Sequence, residues 1–202
     1  MQLQYESPHP ADYLLATGEV DFNAPSIAGL TDGLLASSQD QIGFIRKAYA
    51  FVRDEIAHSW DIQSARITCS ASETLLHREG ICYAKSNLLC AILRRANIPA
   101  GFCYQRLTLG DTPDTGYCIH ALNAVYIAND ERWIRLDARG NKPGIEADFS
   151  LGGEKLAFPI RTEYGEVDYP VLYRAPHPKT IAALRGHADC KTMYLHGLPD
   201  AL

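Results

Sequence analysis

Apolar positions recur at two different spacings along the chain, and the change falls at Pro99. Before it, Leu88, Leu89, Ile92, Leu93 and Ala96 follow Cys82 in steps of three and four, the signature of one buried helix face. That pattern stops at Asn97-Ile98-Pro99, a helix-stop signal. An earlier stripe of Ile42, Ile45, Tyr49, Val52 and Ile56 predicts a helix opening at Ser37–Gln41 and closing near Ala57-His58, with Ser38 and Gln41 spaced as a capping box. Ser70 and Glu73 repeat that spacing for a short helix over 71–78, with Leu75 and Leu76 turned inward.

After Pro99 the period drops to two. Ala100, Phe102 and Tyr104 alternate with Gly101, Cys103 and Gln105, which predicts a strand over 100–107. Gly110 to Gly116 is a loop, and alternating runs over 117–128 and 131–138 flank Asn129-Asp130 as a hairpin. Residues 1–37 carry three prolines and read as an irregular wrap, with short apolar pieces at 11–15 and 20–22. Residues 141–202 are rich in Gly and Pro, with short strands expected at Leu156–Ile160 and Val171–Tyr173 and a helical turn at Thr180–Arg185. The reading is one α+β domain over 1–202, its core at about 40–140, with an N-terminal wrap and a C-terminal extension.

Composition narrows the function classes. At 202 residues, with 47% hydrophobic and 21% charged residues, the chain has enough apolar material for one substantial core. A formal charge of -5 speaks against nucleic acid and against a polybasic membrane surface as partners. No run approaches a membrane span, and the first residues lack a basic region followed by an apolar stretch. Six cysteines occur with no Cys-x-x-Cys pair and no zinc-like Cys/His spacing, so they read as reduced thiols of a cytoplasmic protein. No metal or cofactor is implied, and no clustered carboxylate loop suggests Ca²⁺.

The chemistry gathers at three residues. Arg78-Glu79-Gly80-Ile81-Cys82 leads straight into the long helix, so Cys82 falls in its first turn. Unpaired N–H groups and the positive end of the macrodipole favour a thiolate there, and Gly80 allows a tight approach. A buried core thiol would produce the same local pattern. A nucleophilic Cys needs a base, and the base needs an orienting group. His9, His177, His187 and His196 sit in Pro- or Gly-rich surroundings as solvated residues, His77 lies on the short helix, and His58 reads as a cation at a helix end. His120 lies inside a strand instead. A two-residue turn pairs Ala128 with Glu131 and therefore Leu122 with Asp137, which leaves His120 and Asp137 diagonal neighbours on one face. Such a pair fits a catalytic base with its orienter, and equally a buried structural His–Asp contact.

Four blocks then stand in order: Gly80-Ile81-Cys82-Tyr83-Ala84-Lys85-Ser86, Asn97-Ile98-Pro99-Ala100, His120-Ala121-Leu122-Asn123-Ala124 and Trp133-Ile134-Arg135-Leu136-Asp137-Ala138. Together they resemble the transglutaminase-like superfamily, within the papain-like group of cysteine enzymes, and its bacterial stand-alone members more than the large animal cross-linking enzymes. The resemblance implies a Cys-bearing helix packed on an antiparallel sheet that carries the His and the Asp. It implies acyl transfer at an amide of a peptide, a protein or a small molecule, through a thioester. Cys82 would attack, His120 would shuttle the proton and Asp137 would orient the imidazole. The Cys82 N–H would serve the oxyanion hole, with Trp60 or His58 as candidates for a second donor. Many relatives have an aromatic residue and an acid where Leu122 and Ala124 stand, a departure expected to alter substrate contacts. The same resemblance admits a catalytically silent domain that binds a peptide or protein, and an acyltransferase like the arylamine N-acetyltransferases.

Overall fold

The computed structural model describes residues 2–202. Its helices are α1 (Pro25–Ala36), α2 (Gln41–Glu55), α3 (Ala71–His77), α4 (Cys82–Arg95), α5 (Pro178–Arg185) and α6 (Cys190–His196). Its strands are β1 (Gln4–Tyr5), β2 (Ala57–His58), β3 (Glu79–Gly80), β4 (Ala100–Thr108), β5 (Tyr117–Ile127), β6 (Arg132–Leu136), β7 (Val167–Asp168) and β8 (Val171–Leu172). The architecture is α+β. An antiparallel sheet in the order β6-β5-β4-β7 carries α4 on one face. Two short parallel pairs, β1 with β8 and β2 with β3, tie the ends of the chain and the entrance to α4. Among the described residues no helix is long and apolar enough to cross a membrane.

The α4 helix is buried almost all round rather than on one face. Leu88, Leu89, Ile92 and Leu93 are fully enclosed, each contributing about 1.5–3 kcal/mol by burial. Three of its enclosed polar side chains, Lys85, Asn87 and Arg94, donate to backbone carbonyls. Lys85 Nζ donates to the carbonyls of Ile56 (2.5 Å) and Arg53 (3.2 Å) near the end of α2. Asn87 donates to Cys69 O (2.8 Å), and from the sheet Asn123 donates to Ser86 O (3.1 Å). Burial pushes the Lys85 ammonium down from 10.5 to about 7.

The hairpin keeps the predicted register with a different turn. Ala128 to Glu131 form a 3₁₀ turn closed by Glu131 at φ 49°, and Ile127 pairs with Arg132 and Asn123 with Leu136. A longer turn with the same midpoint leaves every cross-strand partner unchanged.

Several expectations are corrected. Asp40, not Ser38, caps α2, its carboxylate accepting from Gly43 N at 2.7 Å, while Ser38 Oγ donates back to Leu34 O at 2.7 Å. A carboxylate suits the positive helix end, and Ser38 is already used in closing α1. The Ser70–Glu73 box forms in full, yet Leu76 is 73% exposed because the short α3 buries one side only, through Leu75. The N-terminal segment contains α1, unforeseen because Gly29 and Gly33 interrupt its pattern, and that helix buries Ile27 in the main core. Residues 156–160 form no strand, β8 is shorter than expected, and α6 was not foreseen at all.

Candidate active site

Cys82 stands at the first position of α4 and is half-buried. Ile81 precedes it at the cap position and supplies no side-chain acceptor. Among the described residues nothing accepts the Cys82 N–H, so the positive helix end is open at the sulfur. Gly80 matters for contact rather than for turning. A Cβ there would fall 2.9 Å from both Ala84 Cβ and Thr68 Oγ1, so only glycine lets β3 lie against α3 and α4.

His120 Nε2 and Asp137 Oδ2 lie 2.8 Å apart, with His120 4% exposed and Asp137 fully enclosed. The diagonal placement across β5 and the end of β6 is therefore realised as a hydrogen bond. Asp137 is itself held from three more sides. Its Oδ1 accepts from Arg139 N (3.1 Å), its Oδ2 from Ala157 N (3.0 Å), and its own carbonyl accepts from the Tyr49 hydroxyl (3.1 Å). Burial favours the neutral carboxyl, but the His120 charge and these N–H groups outweigh it and hold Asp137 below the ordinary carboxylate range. Burial likewise opposes charge on His120, yet the Asp137 carboxylate and the Cys82 sulfur together raise it above an ordinary histidine. With Nε2 committed to Asp137, Nδ1 is the nitrogen left to face Cys82.

Cys82 and His120 line one cleft of about 670 Å³. Trp60, Phe158 and Tyr194 give it aromatic walls, and Arg139, Lys142 and Arg161 place cations along it. Phe158 meets the His120 ring edge-on at 5.0 Å, and Trp60 stacks on Tyr194 at 4.2 Å. Asp61 ties down two of the cations, accepting from both Arg139 nitrogens (2.6 and 2.8 Å) and from Lys142 (2.6 Å). Arg161 is held by buried Glu166 at 2.6 Å.

The C-terminal extension, read from sequence as an appendage, roofs the His–Asp pair. Arg135 on β6 binds Glu154 and Asp168 in two-pronged pairs at 2.6–2.8 Å, which clamps the strap carrying Ala157 and Phe158 over the hairpin. Of these contacts only the abundance of Arg, Asp and Glu was visible in the sequence. Leu122 and Ala124 are fully buried in a second apolar cluster with Tyr13, Cys103 and Leu172, so that departure from the family pattern lies under the strap, away from the cleft.

The other histidines divide differently from expectation. His58 is no helix-end cation. It is 6% exposed, lies in β2 beside Gly80 and lines the cleft. His9 and His196 are exposed, whereas His77, His177 and His187 are half-buried, and none of these borders the cleft. All six cysteines are free. Cys118 also borders the cleft, and burial pushes its thiol up to about 12. Among the described residues no group of three or more His, Cys, Asp or Glu side chains is arranged to hold a metal ion.

No curated protein matches the chain. Among solved structures, a proposed cysteine protease from Cytophaga hutchinsonii superposes with a TM-score of 0.51 at 19% identity, over 63% of this chain and 40% of that one. The periplasmic domain of TgpA from Pseudomonas aeruginosa matches with a TM-score of 0.48 at 17% identity, over 65% of this chain and 48% of that one. Red sea bream transglutaminase matches with a TM-score of 0.46 at 11% identity, over 66% of this chain and 32% of that one. The chain thus spans less than half the length of these structures, and the first of them supports the fold alone. The family model described as the transglutaminase-like superfamily matches residues 28–138, from α1 through the residue after Asp137, and so takes in all four sequence blocks. With more than half of its length inside that match, the chain belongs to the transglutaminase-like superfamily.

Proposed function

We propose that the protein is a cysteine-nucleophile acyl-transfer enzyme acting on an amide of a peptide, a protein or a small molecule. The observation that carries this reading is the enclosed 2.8 Å His120–Asp137 pair opening on the same cleft as Cys82. Cys82 Sγ attacks the amide carbonyl, and its proton resides on His120. The tetrahedral oxyanion meets the unpartnered Cys82 N–H. As the C–N bond breaks, His120 returns the proton to the departing amine, leaving a thioester on Cys82 and a free amine. Water or a second amine then attacks the thioester with His120 as base, giving acid or new amide and restoring the thiol. Asp137 holds the imidazole through Nε2 and stabilises its charged form.

Acylation by p-nitrophenyl acetate tests the reading without knowledge of the natural substrate. The expected result is a nitrophenolate burst with acetyl recovered on the Cys82 peptide by mass spectrometry, lost in Cys82→Ala and His120→Ala. Acetyl spread over the other cysteines, or a burst indifferent to His120, would leave the site as a binding groove.

A further inference from the structure

His58 has a placement that a core histidine does not need. It lies in β2, whose pairing with β3 sets His58 alongside Gly80, two residues before Cys82, and its ring borders the cleft that Cys82 and His120 share. Among the described residues neither ring nitrogen has a hydrogen-bond partner, and Nδ1 is wholly enclosed. A buried polar atom without a partner costs roughly 1–3 kcal/mol, so such an atom calls for a reason. Enclosure of Nδ1 leaves Nε2 as the nitrogen through which the ring can meet the cleft. The ring is also kept neutral. Burial disfavours its charge, and the cations of Arg139 and Lys85 add to that. A neutral imidazole carries one N–H. With nothing to receive it at Nδ1, the hydrogen is better placed at Nε2, where the cleft offers water or a substrate oxygen.

We infer that His58, as the neutral Nε2–H tautomer, is the second donor to the oxyanion that forms when Cys82 attacks a carbonyl. This rests on the acyl-transfer reading above and supplies the partner that the lone Cys82 N–H lacks. A neutral donor suits the role because it stabilises developing negative charge without first forming an ion pair with the Cys82–His120 couple. Trp60, the other candidate in the same turn, has its ring laid flat against Tyr194. His58 is then a catalytic residue: its Nε2–H, which meets only the cleft in the free protein, is the donor the transition state uses, while the enclosed Nδ1 stays without a partner as the unprotonated nitrogen.

Two reactions at the same sulfur separate this role from any other. Acylation by p-nitrophenyl acetate passes through an oxyanion, whereas alkylation by iodoacetamide is a displacement at carbon with none. His58→Phe should slow the nitrophenolate burst about 10²–10³-fold, the usual loss for one such donor, while the iodoacetamide rate at Cys82 stays within about 3-fold. His58→Gln puts an N–H near the Nε2 position and should recover most of the burst. His58→Asn puts it near Nδ1 and should not. If His58→Phe does not fold, the Gln and Asn variants decide the matter by themselves. Equal loss in Gln and Asn overturns the proposal, as does a parallel fall of both reactions or an unchanged burst in His58→Phe. Absence of any burst from the wild-type chain overturns the acyl-transfer reading and this one together. A normal wild-type burst that His58→Phe leaves intact overturns this one alone.

Discussion

Cys82 and Cys190 each occupy the first position of a helix, α4 and α6. By the rule that a helix N-terminus activates a thiol, they should behave alike. Their surroundings differ in three respects. Cys190 is 1% exposed, whereas Cys82 borders an open cleft. The cap before Cys190 is Asp189, a negative side chain that occupies the helix end, while Ile81 leaves the end of α4 unoccupied. The Cys190 N–H is spent on Ala65 O at 2.8 Å, while that of Cys82 is free. Burial first, and the Asp189 charge after it, push the Cys190 thiol up to about 11. A helix terminus alone therefore does not make a nucleophile. On the acyl-transfer reading proposed above, an empty cap, access and an imidazole are needed together, and among the described helix starts that carry a cysteine only α4 has all three.

The largest expected effect comes from the imidazole, which Cys190 lacks. Asp137→Asn should leave the fold in place and lower turnover by about 10³–10⁴-fold, since an amide can hold the wrong tautomer and cannot stabilise an imidazolium. Steady-state hydrolysis of p-nitrophenyl acetate, with circular dichroism as the check on folding, measures it. Turnover within a few-fold of wild type would remove the imidazole from the difference between the two cysteines.

Next comes the contrast itself. Limited labelling with iodoacetamide at pH 6 should mark Cys82 at least about 100-fold faster than Cys190, because a thiol held near 11 carries almost no thiolate there. Cys90, Cys103 and Cys118, pushed by burial to about 11, 12 and 12, should lag similarly. Peptide mass spectrometry over a time course gives the ratio, and equal rates for Cys82 and Cys190 would leave the shared helix terminus as their only relevant feature.

The difference between the two helix starts was only half legible in the sequence. Residues whose partners are close in sequence, or paired by regular alternation, could be read: the Ser70–Glu73 cap, the α4 stripe, and the His120–Asp137 pairing, which survived a wrong turn because register depends on the midpoint alone. Contacts that close over long distances could not. The Arg135 clamp on Glu154 and Asp168, and Ala157 donating to Asp137, join segments about 20 residues or more apart through a strap with no period of its own. His58 was misread for the same reason. At a helix end its local context suggested a capping cation, and the pairing of β2 with β3 encloses it instead. The α6 helix, seven residues long, offers too few turns for a stripe, so Cys190 could not be seen to open a helix.

A smaller effect concerns the two residues lying between the cysteines. His58 borders the Cys82 cleft, and its neighbour Ser59 lies beside Cys190. Because the folded His58 stays neutral well below pH 6.5, the unfolded chain takes up a proton that the folded one refuses. Stability from this group is complete above about pH 6.5 and is lost progressively as pH falls below it. His120 contributes no slope there, since its folded pKa is raised and both states hold its proton below 6.5. His177, also lowered by burial, adds a slope common to wild type and variant. Urea midpoints at pH 7 and pH 5 should therefore fall less in His58→Gln than in wild type. Equal falls would mean that the enclosed ring accepts the proton after all.

The smallest effect isolates the cap. Asp189 accepts from Thr192 N at 2.8 Å and from Thr192 Oγ1 at 3.0 Å, so Asp189→Ala removes the N-terminal restraint of α6 and should lower Tm by about 2–4 °C. It also deletes the negative charge nearest the Cys190 sulfur, which stands second to burial among the causes that raise that thiol. Cys190 should therefore label faster in the variant, by less than about 10-fold, and still well behind Cys82, because the sulfur remains enclosed. The Cys82 rate should not move. If Asp189→Ala instead brings Cys190 level with Cys82, the occupied cap rather than enclosure and the missing imidazole separates the two helix starts. That outcome would make the empty Ile81 cap the decisive feature of α4.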